Sequence, residues 1–209
     1  MQAAVRGSLA IAIVALLAAQ AVAQSRAKTD PDWPCQQIKT PTFSLASVWA
    51  GPPLDLNSQA WRDESDVADL KAQMAQRRVP IADLEKAIAE FKTKTGPDAE
   101  AKLLHAFAAA FEDLSQQRSQ IIEGLDRFGR KQNALTDRIH ADNAAVPPSS
   151  DQKSDAQAPA AADSQEQLLW DIRIYNDRRQ TVTYVCEVPT LIEQRIGEIA
   201  RAVQKALAL

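Results

Sequence analysis

The stretch that decides the fold is residues 97–143, PDAEAKLLHAFAAAFEDLSQQRSQIIEGLDRFGRKQNALTDRIHADN. Its single proline stands at the first position, so a helix can run through the rest without interruption. Seam residues recur at spacings that alternate between three and four, and nine of the eleven are large and apolar. They are Leu104, Phe107, Phe111, Leu114, Arg118, Ile121, Leu125, Phe128, Gln132, Leu135 and Ile139. This pattern is typical of a coiled-coil seam and predicts one helix of about 45 residues, or about 70 Å.

The residues beside this seam change character along the helix. In the first half, Leu103, Ala108 and Ala110 widen the apolar face, which predicts contact with more than one neighbour. In the second half the flanking positions are small, polar or charged, as at Gly129 and Lys131. We therefore expect the helix to begin inside a small bundle and to continue as an arm that pairs with one other helix.

The partner of the arm is predicted to follow in the sequence. Residues 143–164 carry almost no bulky apolar side chain and are expected to form a disordered linker. Ser164 and Gln167 then have the spacing of a capping box. A seam follows at Leu168, Ile172, Tyr175, Arg179, Val182 and Cys186, which predicts a helix returning antiparallel to the first. Pro189 is expected to kink or restart this helix before a last amphipathic segment.

Polar residues in the two seams are candidates for fixing the register of the pair or forming an interface: Arg118, Gln132, Asn176 and Arg179. In an antiparallel pair Gln132 falls near Asn176. We expect Arg118, Arg178 and Arg179 to pair with Glu112, Asp113 or Glu123 or to extend past the edge of the coil. The alternative is an anion or carboxylate site that Arg118 forms with Arg178 and Arg179.

The chain before the long helix divides into two parts. Residues 24–62 hold five prolines and four large aromatic residues, which excludes a long helix and predicts an extended strap whose aromatic side chains dock between helices. In the alternative, Trp33 or Trp49 is a ligand platform. The apolar spacing then predicts two helices, one over about 62–78 and one from Pro80 to Thr95, where Gly96 and Pro97 end it.

The fold class is therefore all-α. We expect a small helical bundle extended by a long antiparallel coiled-coil hairpin, with an extended proline- and tryptophan-containing N-terminal strap. The predicted organisation is a signal peptide at 1–23, the strap at 24–62, helices at 63–142, a linker at 143–164, and the returning and C-terminal helices at 165–209.

The first 23 residues have the features of a cleavable secretory signal: one positive charge, an apolar run of about eleven residues, and Ala-Val-Ala at 21–23. The alternative, a permanent anchor, needs about 20 apolar residues. We therefore expect the protein in the periplasm. In that oxidising compartment Cys35 and Cys186, the only cysteines, are expected to form one disulfide. Free thiols, a redox pair or an intermolecular bridge are the alternatives.

The residues that usually carry catalysis form no recognisable pattern. The nucleophile, phosphate-loop and dinucleotide motifs are absent, and the chain has only six glycines. His105 and His140 are expected on the solvent side of the long helix, with loose metal binding by Asp137, His140 and Asp142 as an alternative. We therefore predict no enzyme activity, no cofactor and no metal site.

Charge excludes one further class of partner. The chain has 24 basic and 27 acidic residues and no basic run longer than two, so it lacks the positive surface of a nucleic-acid binder. We expect an exported, non-enzymatic helical binding or scaffolding protein of the bacterial envelope. Its partner would be another envelope protein or a second copy of the chain, and membrane contact is not expected after signal cleavage. The alternative is a periplasmic holdase-type chaperone or stress protein.

Overall fold

The computed structural model describes residues 30–145 and 158–207, so the predicted signal peptide lies outside the described residues. Helix is the dominant secondary structure in these two ranges, and they contain no strand, which confirms the all-α class. The α-helices are α1 (Ser65–Ala75), α2 (Ile81–Thr95), α3 (Ala99–Ala145) and α4 (Ala158–Ala206). Three short 3-10 helices lie at Leu45–Ser47, Ala60–Arg62 and Gly96–Asp98.

The boundary between α2 and α3 follows the predicted breaker residues. Pro80 immediately precedes α2, where its fixed φ suits a helix start. At the other end Gly96 adopts a φ of 72°, and its backbone N–H donates to the carbonyl of Lys92. Glycine adopts this left-handed conformation without steric cost. The chain can therefore leave α2 and enter α3 within three residues.

The buried face of α3 follows the predicted seam over most of its length. Phe107, Phe111, Leu114, Arg118, Leu125, Gln132 and Leu135 are buried. The other predicted positions, Leu104, Ile121, Phe128 and Ile139, are partly exposed. Leu103, Ile122 and Gly129 are buried beside three of them. At Gly129 the cause is the backbone of Asp32, which lies directly against this side of α3.

Helix α4 runs antiparallel to α3, as their contacts show. Side chains of α3 meet successively earlier residues of α4: Arg118 contacts Glu193, Gln132 bonds to Tyr175, and Arg138 pairs with Asp171. Two sequence expectations need correction. Helix occupies 143–145 and 158–164 of the predicted disordered linker, because alanines there favour helix and Pro159 stands in the first turn of α4. The helix is also continuous across the buried Pro189, so it does not restart there; a kink at this residue stays a prediction.

The core lies where α1, α2, the first half of α3 and the last part of α4 meet. It contains Phe107 and Phe111 of α3 together with Ile192, Ile196 and Ile199 of α4. Residues 106–111 are buried all around the helix, as the wide apolar face predicted. The fully buried large apolar side chains of the core are Val67, Met74, Leu84, Ile88, Leu103, Phe107, Leu114, Ile192, Ile196 and Ile199.

A buried arginine of α4 holds the end of α1 in this core. The Arg195 guanidinium donates to the carbonyl oxygens of Met74, Val79 and Gln73 at 3.1, 3.0 and 3.4 Å. Two of these carbonyls belong to the last turn of α1, where carbonyls lack i+4 partners within the helix, and the third belongs to the loop that follows. Burial lowers the pKa of Arg195 from its ordinary value, and the nearby Glu198 carboxylate opposes this shift.

Replacing this cap has a testable cost. Arg195→Met removes the donors and leaves the buried Met74 carbonyl without its side-chain partner, so we expect the free energy of unfolding to fall by about 2–4 kcal/mol. Urea unfolding followed by circular dichroism measures the change. The control is Arg201→Met on the exposed face of the same helix, which should stay within about 0.5 kcal/mol. Equal losses in both variants would contradict the capping role.

Candidate interaction surface

The N-terminal segment, residues 32–62, lies along α3 in the opposite direction to the helix. Its contacts with α3 run from Asp32 at Asn133, through Lys39 at Asp126, to Phe43 at Phe111 and Trp49 at Phe107. The two aromatic pairs have ring centroids 6.4 and 4.7 Å apart. Its only regular structure is the two 3-10 helices. The segment thus covers the apolar surface of α3 on one side.

A disulfide joins the N-terminal segment to α4, which confirms the predicted pairing of Cys35 with Cys186. The S–S distance is 2.01 Å and the Cα atoms are 5.6 Å apart. The bond packs in a small apolar cluster formed by Leu125, Val182, Trp33, Phe128 and Ile121. The Gln37 side chain also donates to the carbonyl of Cys186. This cross-link closes a loop of 151 residues, which the chain-entropy model values at about 5 kcal/mol.

Arg118 is a predicted site residue at which three parts of the chain meet. Only 2% of it is exposed. Its Nε atom donates to Glu193 Oε1 at 2.6 Å, and its terminal nitrogens donate to the carbonyls of Thr40 and Pro41 at 2.5 and 3.3 Å. The guanidinium also lies 5.8 Å from the ring centroid of Phe43.

These contacts correct the expected pairing of Arg118 with Glu112, Asp113 or Glu123. A helix-surface pair would require an exposed guanidinium, whereas this one points into the junction with α4. Its donors bind Glu193 and two backbone carbonyls. Arg118 therefore holds the N-terminal segment against α3 and α4. These contacts do not support the alternative, an anion site that Arg118 shares with Arg178 and Arg179. The side chains of Arg178 and Arg179 are exposed, whereas Arg118 is buried.

The remaining predicted register residues, Gln132, Asn176 and Arg179, differ in their burial. Gln132 is buried and its Nε2 donates to the Tyr175 carbonyl at 3.0 Å. This contact is one residue from Asn176, whose own side chain is exposed. Arg179 is also exposed although the seam placed it inside. A role for these residues in register or in an interface stays a prediction.

The sequence seam missed a buried acid that joins the two long helices. Asp171 is 1% exposed, and Arg138 binds both of its carboxylate oxygens at 2.7 Å. Gln167 donates to the same carboxylate at 3.2 Å. The apolar spacing had placed Ile172 in this position, but Ile172 is 36% exposed. The buried Asp171 carboxylate thus has a bidentate partner in Arg138. Because Asp171 occupies the inward-facing position, Ile172 lies on a more exposed side of the helix.

The two histidines do not form a metal site with other described residues. His105 is half-buried, which corrects its expected exposure, and His140 is exposed. Within residues 30–145 and 158–207 no three His, Cys, Asp or Glu side chains lie close enough to hold a metal ion. The alternative site at Asp137, His140 and Asp142 therefore finds no support in this part of the chain.

The outer face of α4 carries large apolar side chains that water can reach. Trp170, Tyr184 and Leu191 are 56%, 72% and 48% exposed. They stand at seven-residue multiples in the sequence, so they lie along one stripe of the helix. Leu169, 61% exposed, lies beside this stripe. The polar residues Asp163, Glu166, Gln167 and Arg173 surround Leu169 and Trp170 at a surface depression.

We define the outer stripe of α4 as a set of eight positions, all of them exposed: Glu166, Trp170, Arg173, Asp177, Gln180, Tyr184, Glu187 and Leu191. Apolar anchors within a polar rim are the anatomy of a protein interface. The signal for the stripe was present in the sequence as a second set of alternating spacings on the returning helix. A search for apolar spacings does not detect it, because half of its members are charged.

The close approach of Asp32 to Gly129 yields a prediction. A Cβ atom at Gly129 would lie 1.7 Å from the Asp32 carbonyl oxygen, whereas a Cβ at Gly124 would meet nothing nearer than Arg127 at 3.8 Å. Gly124→Ala should therefore stabilise the helix by about 0.5–1 kcal/mol. Gly129→Ala should destabilise the protein by about 1–3 kcal/mol because the backbone must move.

Both variants can be compared by urea unfolding and by the rate at which dithiothreitol reduces Cys35–Cys186. Displacement of the N-terminal segment should make the disulfide of Gly129→Ala react faster, and that of Gly124→Ala should react as in the parent protein. An equally stable Gly129→Ala with an unchanged reduction rate would contradict the described contact.

In the part of the chain that the structure describes, no helix combines the length and the apolar character needed to cross a membrane. Comparisons with protein-family models, with curated protein sequences and with solved structures find no match for this chain.

Proposed function

We propose that this chain is an exported, non-enzymatic binding or scaffolding protein of the bacterial envelope. In this proposal α3 and α4 form an antiparallel coiled-coil hairpin, and the N-terminal segment is a strap that fastens the hairpin to its helical base. The observation that carries the proposal is the outer stripe of α4, where Trp170, Tyr184 and Leu191 are exposed in one line.

Exposed apolar residues are informative here because of their alignment. Single exposed apolar side chains are common on protein surfaces and need no explanation. Tryptophan and tyrosine are the residues most often responsible for affinity at interfaces, where a polar rim surrounds them. Trp170 and Tyr184 have such surroundings on a single helix face.

The contacts beneath the stripe support its role because they keep α4 in place. A binding site on a rigid helix loses less conformational entropy on association than one on a loop. Asp171, next to Trp170 in the sequence, is held by two hydrogen bonds from Arg138. Cys186, two residues after Tyr184, is bonded to Cys35. Each aromatic anchor therefore has a fixed backbone close to it.

The location in the envelope rests on two kinds of support. A disulfide of this kind persists in oxidising compartments outside the cytoplasm. The sequence of residues 1–23 has the pattern of a secretory signal. A periplasmic protein that presents a helix face to another envelope protein, or to a second copy of itself, agrees with both.

The holdase alternative has less support. Such a chaperone binds unfolded chains on an open concave apolar face. Phe43 and Trp49 of the N-terminal segment occupy the apolar surface of α3 at Phe111 and Phe107. The exposed apolar residues of the outer stripe form a narrow line with charged neighbours. We therefore favour a defined helical or folded partner over unfolded chains.

A site-specific cross-link tests the proposal. A photoreactive amino acid at position 170 should give a cross-linked product in cell-envelope extracts, because the stripe contacts its partner there. The same amino acid at Gln120, exposed on α3, should give none and serves as the control. Products are separated by electrophoresis and identified by mass spectrometry. Absence of a product at positions 170, 184 and 191 would contradict the proposed binding surface.

A further inference from the structure

We infer that the outer stripe of α4 binds the same stripe of a second copy of this chain, so that two α4 helices pair antiparallel. This inference rests on the proposed function in treating the stripe as a binding surface, and it adds the identity of the partner. The spacing of the stripe, its charges and its length carry the argument.

The spacing selects a helix as the partner. From Glu166 to Leu191 the members of the stripe are separated alternately by four and three residues. Side chains at this spacing form knobs that fit between the side chains of another helix. An extended peptide or a sheet edge would instead need a pattern that repeats every two residues. The stripe spans 26 residues, or about 38 Å of helix, which offers a long contact to a second helix.

The charges select an antiparallel copy of α4. Arg173 lies in one half of the stripe and Glu187 in the other. In parallel pairing each charge would face its own copy, including Asp177 near the middle, and like charges would repel. In antiparallel pairing the half with Arg173 meets the half with Glu187, and two-fold symmetry forms this contact twice. The half containing Trp170 then meets the half containing Tyr184 and Leu191.

The apolar residues agree with this orientation. Parallel pairing would stack Trp170 on Trp170 and leave polar layers between the aromatic ones. Antiparallel pairing distributes Trp170, Tyr184 and Leu191 of both copies along the whole contact. Because charged residues alternate with these anchors, the contact should dissociate reversibly, in contrast to a permanent dimer with a continuous apolar seam.

Sedimentation velocity of the purified, oxidised protein tests the inference. We expect a concentration-dependent equilibrium between monomer and dimer. Trp170→Glu should weaken the dimer by about thirtyfold or more, because it removes an aromatic anchor and adds a charge. Ile38→Glu is the matched control, since Ile38 is 82% exposed and lies outside the stripe. It should leave the dimer unchanged.

A charge exchange tests the orientation. Arg173→Glu and Glu187→Arg should each weaken the dimer, and the double variant that carries both should recover most of the affinity. All these side chains are exposed, so circular dichroism should show that every variant folds. Recovery in the double variant supports antiparallel pairing, because a parallel pair would still set like charges against each other.

Three results would overturn the inference: a monomer at all concentrations, a dimer insensitive to Trp170→Glu, or no recovery in the double variant. A monomer that still cross-links from position 170 to a different envelope protein would leave the proposed function standing. A monomer that gives no cross-link from the stripe would contradict both proposals.

Discussion

The guanidinium of Arg118 is the contact on which the arrangement of the chain depends. It connects the middle of α3 to Glu193 of α4 and to the Thr40 and Pro41 carbonyls of the N-terminal segment. A buried charge is costly unless its donors are satisfied, so each of these groups must stay in place. Because these partners lie 75 to 78 residues before and after Arg118 in the sequence, one side chain connects three distant parts of the chain. Apolar packing alone would specify these positions less strictly, because the hydrophobic effect is not directional whereas a hydrogen bond is.

Other polar contacts repeat this arrangement along the pair of long helices. Arg195 binds the end of α1, Gln132 binds the backbone of α4, and Asp171 binds Arg138. Each uses a buried polar residue, and a shift of one residue between α3 and α4 would break the contacts of Gln132 and Asp171. Apolar seams tolerate such shifts more easily, because Leu, Ile and Phe can replace one another at similar cost. The polar residues therefore specify the register that the apolar residues stabilise.

The long helix and its breakers could be predicted from the sequence because they depend on local spacing. The alternating positions of α3, the Pro80 start of α2 and the Gly96 turn are all properties of neighbouring residues. The disulfide also followed from a compartment argument and from a count of two cysteines. The same local spacings were sufficient to predict the all-α class, because α3 and α4 together make up most of the described residues.

The details that failed depend on contacts between distant residues. Gly129 is buried because Asp32 lies against it, and Asp171 is buried because Arg138 reaches it. Neither partner can be identified from spacing along one helix. Arg195 resembles an ordinary helix-surface residue in sequence, and its role became clear only when the end of α1 was placed beside it. The outer stripe was readable in principle, but only by counting charged residues as members.

The wide separation of Cys35 and Cys186 also orders events after synthesis. Cys35 leaves the ribosome early, and its partner follows 151 residues later. With two cysteines in the chain, a wrong bond within one molecule cannot form. The surface that receives the N-terminal segment needs Glu193 as well as α3, so it is complete only after residue 193 has emerged. Contacts of such high sequence separation form late. Residues 32–62, which are synthesised well before α4, therefore reach their final position late in folding. The Cys35–Cys186 disulfide closes only after they have reached it.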